Sequence, residues 1–221
     1  YLAAAINNAH FIINNLLVND RLCRTYKDGK AKLNGYLEDY SFLADGLLAL
    51  YEATFDPIWF TQSKKLVDIM IDLFWDPQSG LFYDTSKDHE ALIIRPREFF
   101  DNATPSGSSI AVEVLVKLSR LTSQKRYLSI AETALSSMHQ IMARYPNGMG
   151  RWLSSLDLYQ NPSKDIVVIG QPTDPATKAL LKVIHNSYIP NKILAGFNDA
   201  IQDSIDDIPL LNYRTKLRGK P

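Results

Sequence analysis

Apolar positions recur at helical spacing from the first residues onward: Leu2, Ala5, Ile6, Ala9 and Ile13 fall on one helix face. The same periodicity continues along the chain and predicts helices near 1–19, 38–54, 57–74, 106–121, 125–144 and 149–159. Asp56-Pro57 and Thr122-Ser123 punctuate the helical blocks as tight turns, and Pro57 suits a first helical position. Elsewhere the pattern shortens to strand-like runs. Leu22–Tyr26 and Ala31–Leu33 flank Asp28-Gly29, a hairpin turn signal. Gly80–Tyr83 and Ala91–Ile94 are expected to form a second small ribbon.

The helical blocks carry a weak internal repeat. Leu50-Tyr51-Glu52-Ala53-Thr54 precedes Trp59-Phe60-x-x-Ser63, and Leu118-Ser119-Arg120-Leu121-Thr122 precedes Tyr127-Leu128-x-x-Ala131. Each unit reads as a helix, a short turn and a second helix opening on an aromatic pair or aromatic-aliphatic pair, with a small residue where a neighbour must approach closely. Tyr1-Leu2-x-x-Ala5 resembles the second helix of a third unit, and the first helix of that unit is expected upstream of this chain. Helical pairs with ribbons on one face give the expected fold: mainly α, a partial α/α toroid of helical hairpins with short β-ribbons, over 1–160.

Beyond it, Asp165–Gly170 reads as a buried strand, Pro175–Asn186 as a helix and Lys192–Gly196 as a second strand. That order predicts a parallel βαβ unit with a right-handed crossover, over 161–202 and packed on the helices. It holds neither GxGxxG nor GxxxxGK[ST], so packing outweighs nucleotide binding as its role. Residues 203–221 are proline-punctuated and expected to run irregularly over the surface.

Lysine plus arginine total 24 and so do aspartate plus glutamate, which leaves no global field to draw nucleic acid or anionic lipid. No apolar run approaches the roughly 20 residues that span a bilayer, and no signal peptide is visible. The single cysteine, Cys23, fits a reducing compartment, so a soluble cytoplasmic protein is expected. The four histidines and the cysteine have no metal-ligand spacing, and no cofactor motif is present.

Two polar segments stand out as candidate chemistry. The first, Gly35–Asp45, places Tyr36, Glu38, Asp39 and Tyr40 at a helix mouth. Carboxylates in a first turn interact favourably with the helix dipole. The same mixture of rings and carboxylates is what a sugar-binding cleft needs, for stacking and for proton transfer. Asp45, further along, faces either a central cavity or solvent. The second segment runs from Arg95 to Ser109. Thr104 or Ser106 as N-cap, with Pro105 just inside, accounts for part of it. Arg95, Arg97, Glu98, Asp101 and Asn102 are left over, as structural ion pairs or as a site. Gly107, in the first turn, admits a close backbone contact or a ligand. If both segments open into one funnel, Asp39 and Asp101 face each other as an acid/base pair. Tyr36, Glu38, Tyr40, Arg95, Glu98, Asn102 and Ser106 would then surround a small carbohydrate. A serine-histidine-acid triad is disfavoured, since Ser106-Gly107-Ser108 lacks the G-x-S-x-G elbow.

The two segments resemble those of the spermatogenesis-associated, thioredoxin-domain-containing protein family. Gly35–Leu43 matches a pattern close to G-x-L-[ED]-D-Y-A-F-L, and Arg95–Ser109 matches one close to R-P-[KR]-E-x-x-D-[GN]-A-x-P-S-G-N-S. The similarity runs from Tyr1 to about Pro209. It implies an N-terminal thioredoxin-like domain outside this chain, and that the chain forms the later part of a six-hairpin toroid related to glycosidases and N-acylglucosamine epimerases. By that resemblance Glu38, Asp39, Arg95, Glu98, Asp101, Pro105, Ser106 and Gly107 occupy motif positions. Ser108 stands where the family usually has asparagine, losing a two-way hydrogen-bonding amide, and Ser41 replaces a usual alanine. Two functions follow as expectations: a carbohydrate-active domain, hydrolase or epimerase, or a non-catalytic binding or scaffold module for the thioredoxin-like domain. A partial toroid also exposes an apolar face, so dimerisation of the fragment is expected.

Overall fold

A computed structural model describes residues 1–90, 93–161, 163–198 and 208–216. In chain order it comprises helix α1 (Leu2–Asn15), strands β1 (Leu17–Val18), β2 (Arg21–Lys27) and β3 (Lys30–Asn34), and helices α2 (Leu37–Thr54) and α3 (Pro57–Phe74). Strands β4 (Trp75–Asp76) and β5 (Leu81–Phe82) follow, then helices α4 (Gly107–Thr122), α5 (Lys125–Arg144) and α6 (Gly150–Gln160). Strand β6 (Lys164–Ile169), helix α7 (Pro175–Asn186) and strand β7 (Lys192–Phe197) complete the order, with 3-10 turns at Pro146–Gly148 before α6 and at Pro209–Leu211 after β7. The fold is mainly α with short ribbons, as the periodicity predicts.

The internal repeat is visible atom by atom at the two hairpin turns. Thr54 and Thr122, equivalent in the repeat, each donate a hydroxyl to the carbonyl four residues back, Leu50 and Leu118, at 2.7 Å. Each hydroxyl then accepts the N–H two residues on, from Asp56 at 3.3 Å and Gln124 at 3.2 Å. Phe55 and Ser123 both take left-handed backbone (φ 55 and 57) to reverse the chain. The small residues also behave alike: Ser63 and Ala131 are fully buried, and Ser63 Oγ donates to the Ala44 carbonyl of α2 at 2.8 Å. Two-residue connections of this kind make α2–α3 and α4–α5 antiparallel pairs.

Helices α2, α4 and α6 pack side by side, with α3 behind α2 and α5 behind α4. Their N-termini converge. A Cβ on Gly107, the first residue of α4, would sit 2.8 Å from the Glu38 nitrogen in the first turn of α2. Asp101 links the start of α4 to the start of α6 by accepting the N–H groups of Ser106 and Arg151. One core runs through all five helices, with Tyr51, Trp59, Phe74, Tyr127 and Trp152 fully or almost fully buried.

The βαβ unit forms as expected, β6 pairing with β7 in parallel from Lys164↔Lys192 to Ile169↔Phe197. It docks on the end of α2. The Tyr51 hydroxyl donates to the Gly196 carbonyl at 2.9 Å and accepts the Gly196 N–H at 3.2 Å, while burial drives its pKa upward. Phe55 packs with Val168, Leu181 and Leu194 so tightly against Gly196 that a Cβ there would lie 1.8 Å from the ring.

Several elements differ from the sequence expectation. The first helix stops at Asn15 instead of running to 19, because Asn19 and Asp20 both adopt positive φ (50 and 62) and turn β1 back onto β2. The first ribbon is therefore three-stranded, with Asp28-Gly29 making the second turn (φ 51 and 74). Strand β5 pairs with β4, and Ile93 and Ile94 lie in no strand. Asp76 builds that turn by accepting from Gln78 N and Ser79 Oγ, and Gly80 completes it at φ 68. Ile93 and Ile94 lie exposed, while Ala91 and Leu92 fall outside the described residues. The tail does not simply run over the surface: Ile208 and Leu211 are buried in the main core, since two apolar side chains one turn apart gain more from burial than from solvent. Residues 203–207 and 217–221 fall outside the described residues.

Candidate functional site

The helix α2 mouth is built by a chain reversal at Gly35, whose N–H donates to the Leu22 carbonyl at 2.7 Å. Tyr36 is the N-cap, and Asp39 in the first turn accepts its backbone N–H at 2.8 Å. The Arg24 guanidinium reaches Asp39 at 3.1 Å and Glu38 at 2.8 Å, and lies 4.7 Å from the Tyr36 ring centre. Tyr40 is fully buried; its hydroxyl accepts the Leu22 N–H at 2.9 Å and its ring meets Phe74 at 5.3 Å. Burial raises its pKa. Tyr40 is thus a core residue that pins the ribbon to α2, and it lines no cleft.

The second segment resolves into anchors and a wall. Arg95 and Arg97 both stack on the Tyr83 ring, at 3.8 and 3.7 Å from its centre. Arg95 Nη2 donates to the Thr85 carbonyl at 2.5 Å, and Arg97 Nη2 to Asp76 Oδ2 at 2.6 Å. Hydrogen bonds from Ser79, Gln78 and Arg97 hold the Asp76 carboxyl below its usual range. These arginines bind the segment to the β4–β5 ribbon and the residues just after it; Arg95 is held there, not at a ligand. Ser106 is the N-cap of α4, accepting from Ser109 N at 3.2 Å, so Pro105 lies before the cap and not inside the helix.

Both carboxylate oxygens of Asp101 are engaged by protein donors. Oδ1 accepts Ser106 N at 2.9 Å and Ser109 Oγ at 2.8 Å, and Oδ2 accepts Arg151 N at 2.7 Å. Asp39 borders a different depression, the groove shared by Ala9, Cys23, Arg24 and Phe42. The structure therefore does not bring Asp39 and Asp101 together across one cavity. Sequence reasoning placed them there because both lie at helix starts; those starts use them as caps and clamps.

A cavity does open between the two segments, of about 330 Å³, lined by Tyr36, Glu38, Asp84, Glu98, Phe100, Asn102 and Ser106. Five of the nominated residues meet here, joined by Asp84, which sequence reading passed over. Asp84 sits just beyond β5, where its backbone bridges both segments: its N–H donates to Pro96 O at 3.0 Å and its carbonyl accepts Leu37 N at 2.9 Å. Its Oδ2 accepts the Glu98 N–H at 2.7 Å. Burial, aided by the nearby Glu98 and Glu38 carboxylates, raises the Asp84 carboxyl to about 6, against the opposing pull of the Glu98 N–H and Arg97. A carboxyl that titrates near neutrality beside two further carboxylates has the makings of a proton donor or acceptor. The available signal was an aspartate directly after an apolar strand, which carries no meaning until the strand is placed against α2. Among the described residues no group of three or more His, Cys, Asp or Glu side chains is disposed to hold a metal ion, and no helix is long and apolar enough to cross a membrane.

No family model matches the chain. It is similar to spermatogenesis-associated protein 20 of Mus musculus, at 35% identity over 161 residues, covering 72% of this chain and 20% of that protein. The protein of the same name in Rattus norvegicus is also 35% identical over 161 residues, and that of Homo sapiens 34%. The chain belongs to the spermatogenesis-associated protein 20 family. It spans about a fifth of the length of these curated relatives.

Proposed function

We propose that the cavity between the α2 mouth and the Glu98–Ser106 wall binds a small carbohydrate, with Asp84 in place of Asp39 and Asp101 as its proton-carrying group. The observation that carries this reading is the Asp84 carboxyl, poised near 6 in a cavity it shares with Glu38 and Glu98. Tyr36 and Phe100 add ring surface for a pyranose face, while Asn102 and Ser106 add amide and hydroxyl groups. Below pH 6 Asp84 serves as an acid and above it as a base, the two halves of glycoside hydrolysis or sugar epimerisation. Parallel inner helices backed by outer ones, with their N-termini at one end, support an arc of an α/α toroid as the scaffold.

A second reading, a non-catalytic module serving a thioredoxin-like domain elsewhere in the protein, is favoured by the structural commitment of Asp39 and Asp101. Thermal-shift screening of the intact protein against a monosaccharide and disaccharide panel separates the two. A melting-point rise with a sugar, lost in Asp84→Asn, is expected. No rise with any sugar at millimolar concentration would leave the module reading ahead.

A further inference from the structure

A second cleft, about 540 Å³ in volume, lies further along the same helices, closed on one side by the turn between α7 and β7. The size is that of a small-molecule site. Its floor is an ion network joining three helices. Lys117 Nζ lies 2.8 Å from both Asp45 Oδ1 and Glu113 Oε1, and Arg151 Nε lies 2.5 Å from Glu113 Oε2, with Nη2 3.6 Å from Asp45 Oδ2. Two acids and two bases neutralise one another. Glu113 is 8% exposed, and the Lys117 ammonium, although burial opposes its charge, is held protonated by Asp45 and Glu113. Asp157, on the wall, accepts amide hydrogens from Asn161 at 2.5 Å and Asn191 at 2.7 Å.

Two charges of opposite sign on the cleft wall are left over. Glu52 from α2 and Lys192 from β7 both line the cleft, and neither makes a side-chain hydrogen bond or ion pair to a described residue. Burial raises the Glu52 carboxyl, partly offset by the fields of Lys117 and Lys192 and reinforced by Asp45. A partly desolvated carboxylate that feels nearby cations but makes no direct hydrogen bond or ion pair is costly, and an ammonium supplied by a ligand relieves that cost. Lys192 offers the complementary point charge for a carboxylate.

We propose that this cleft binds a small zwitterion of the α-amino-acid class, its ammonium on Glu52 and its carboxylate on Lys192, with the side chain over Leu153, Leu158 and Pro190. A simple anion or cation satisfies only one of the two residues, and a neutral sugar satisfies neither charge. The site is independent of the carbohydrate cavity.

Isothermal titration of the intact protein with free L-amino acids, their N-acetyl forms and their methyl esters tests this directly. At least one free amino acid should bind, with a loss of about tenfold or more for its N-acetyl form and for its ester, each of which deletes one charge. Glu52→Gln and Lys192→Gln should each weaken binding to a similar degree, and Asp84→Asn should leave it unchanged. Circular dichroism reports whether the variants remain folded. Equal affinity for the ester and the free acid, binding that survives Glu52→Gln, or no binding by any L-amino acid at about 10 millimolar would overturn it.

Discussion

Replacing Asp84 by asparagine should make the protein more stable at neutral pH, although it removes the group proposed for proton transfer. A carboxyl moved on folding from an ordinary 3.8 to about 6 disfavours the folded state once it ionises. Folding binds a proton between those two values, so the favourable contribution is complete below pH 3.8 and is lost as pH rises through 6. The full displacement corresponds to about 3 kcal/mol. Asp84 is only partly buried, and solvent screening reduces this to roughly 1–2 kcal/mol. Asparagine keeps an oxygen for the Glu98 N–H and deletes the charge facing Glu38 and Glu98. In a domain of this size each kcal/mol moves the melting point by about 2–4 °C, so a rise of roughly 2–8 °C is expected at pH 7.5. Urea unfolding of both proteins from pH 3.5 to 8 should show the two curves parting as pH rises and meeting near pH 3.5. An asparagine variant no more stable than the wild type at neutral pH, or a gap that does not change with pH, would refute the electrostatic account of this cavity.

Two other substitutions probe the frame around the cavity. Asp101→Ala strands three donors, Ser106 N, Ser109 Oγ and Arg151 N, and should cost about 2–4 kcal/mol by urea unfolding; a loss under about 0.5 kcal/mol, the range of ordinary surface substitutions, would mean that water replaces the clamp. Gly107→Ala places a Cβ 2.8 Å from Glu38 N and 3.0 Å from its Cα, backbone atoms that cannot swing aside. A destabilisation of about 1–3 kcal/mol is expected, and wild-type stability would show that α2 and α4 are not locked together there.

Helices, turns and the βαβ unit were legible in the sequence because they rest on local periodicity and short-range chemistry. The hairpin turns at Thr54 and Thr122 are decided within the seven residues Leu50–Asp56 and Leu118–Gln124, which is why the repeat could be read. Asn19-Asp20 carried an equally local turn signal that the helical pattern of α1 obscured. Roles of polar residues were a different matter. Asp39, Asp101 and Asp84 are the same side chain in similarly polar surroundings along the chain, and nothing local ranks them.

By itself, then, the sequence determined which segments coil, which reverse, and which two polar stretches lie near a helix mouth. It also held a hint about the second cleft: Glu113 and Lys117 are four apart on an otherwise apolar stretch of α4. Only the tertiary structure decided which carboxylates are held by donors and which is left desolvated. Clamping by Arg151 N fixes Asp101, capping and Arg24 engage Asp39, and the approach of β5 to α2 desolvates Asp84. Whether an acid is satisfied or strained depends on donors and burial supplied from distant parts of the chain, and those are set by packing, not by spacing.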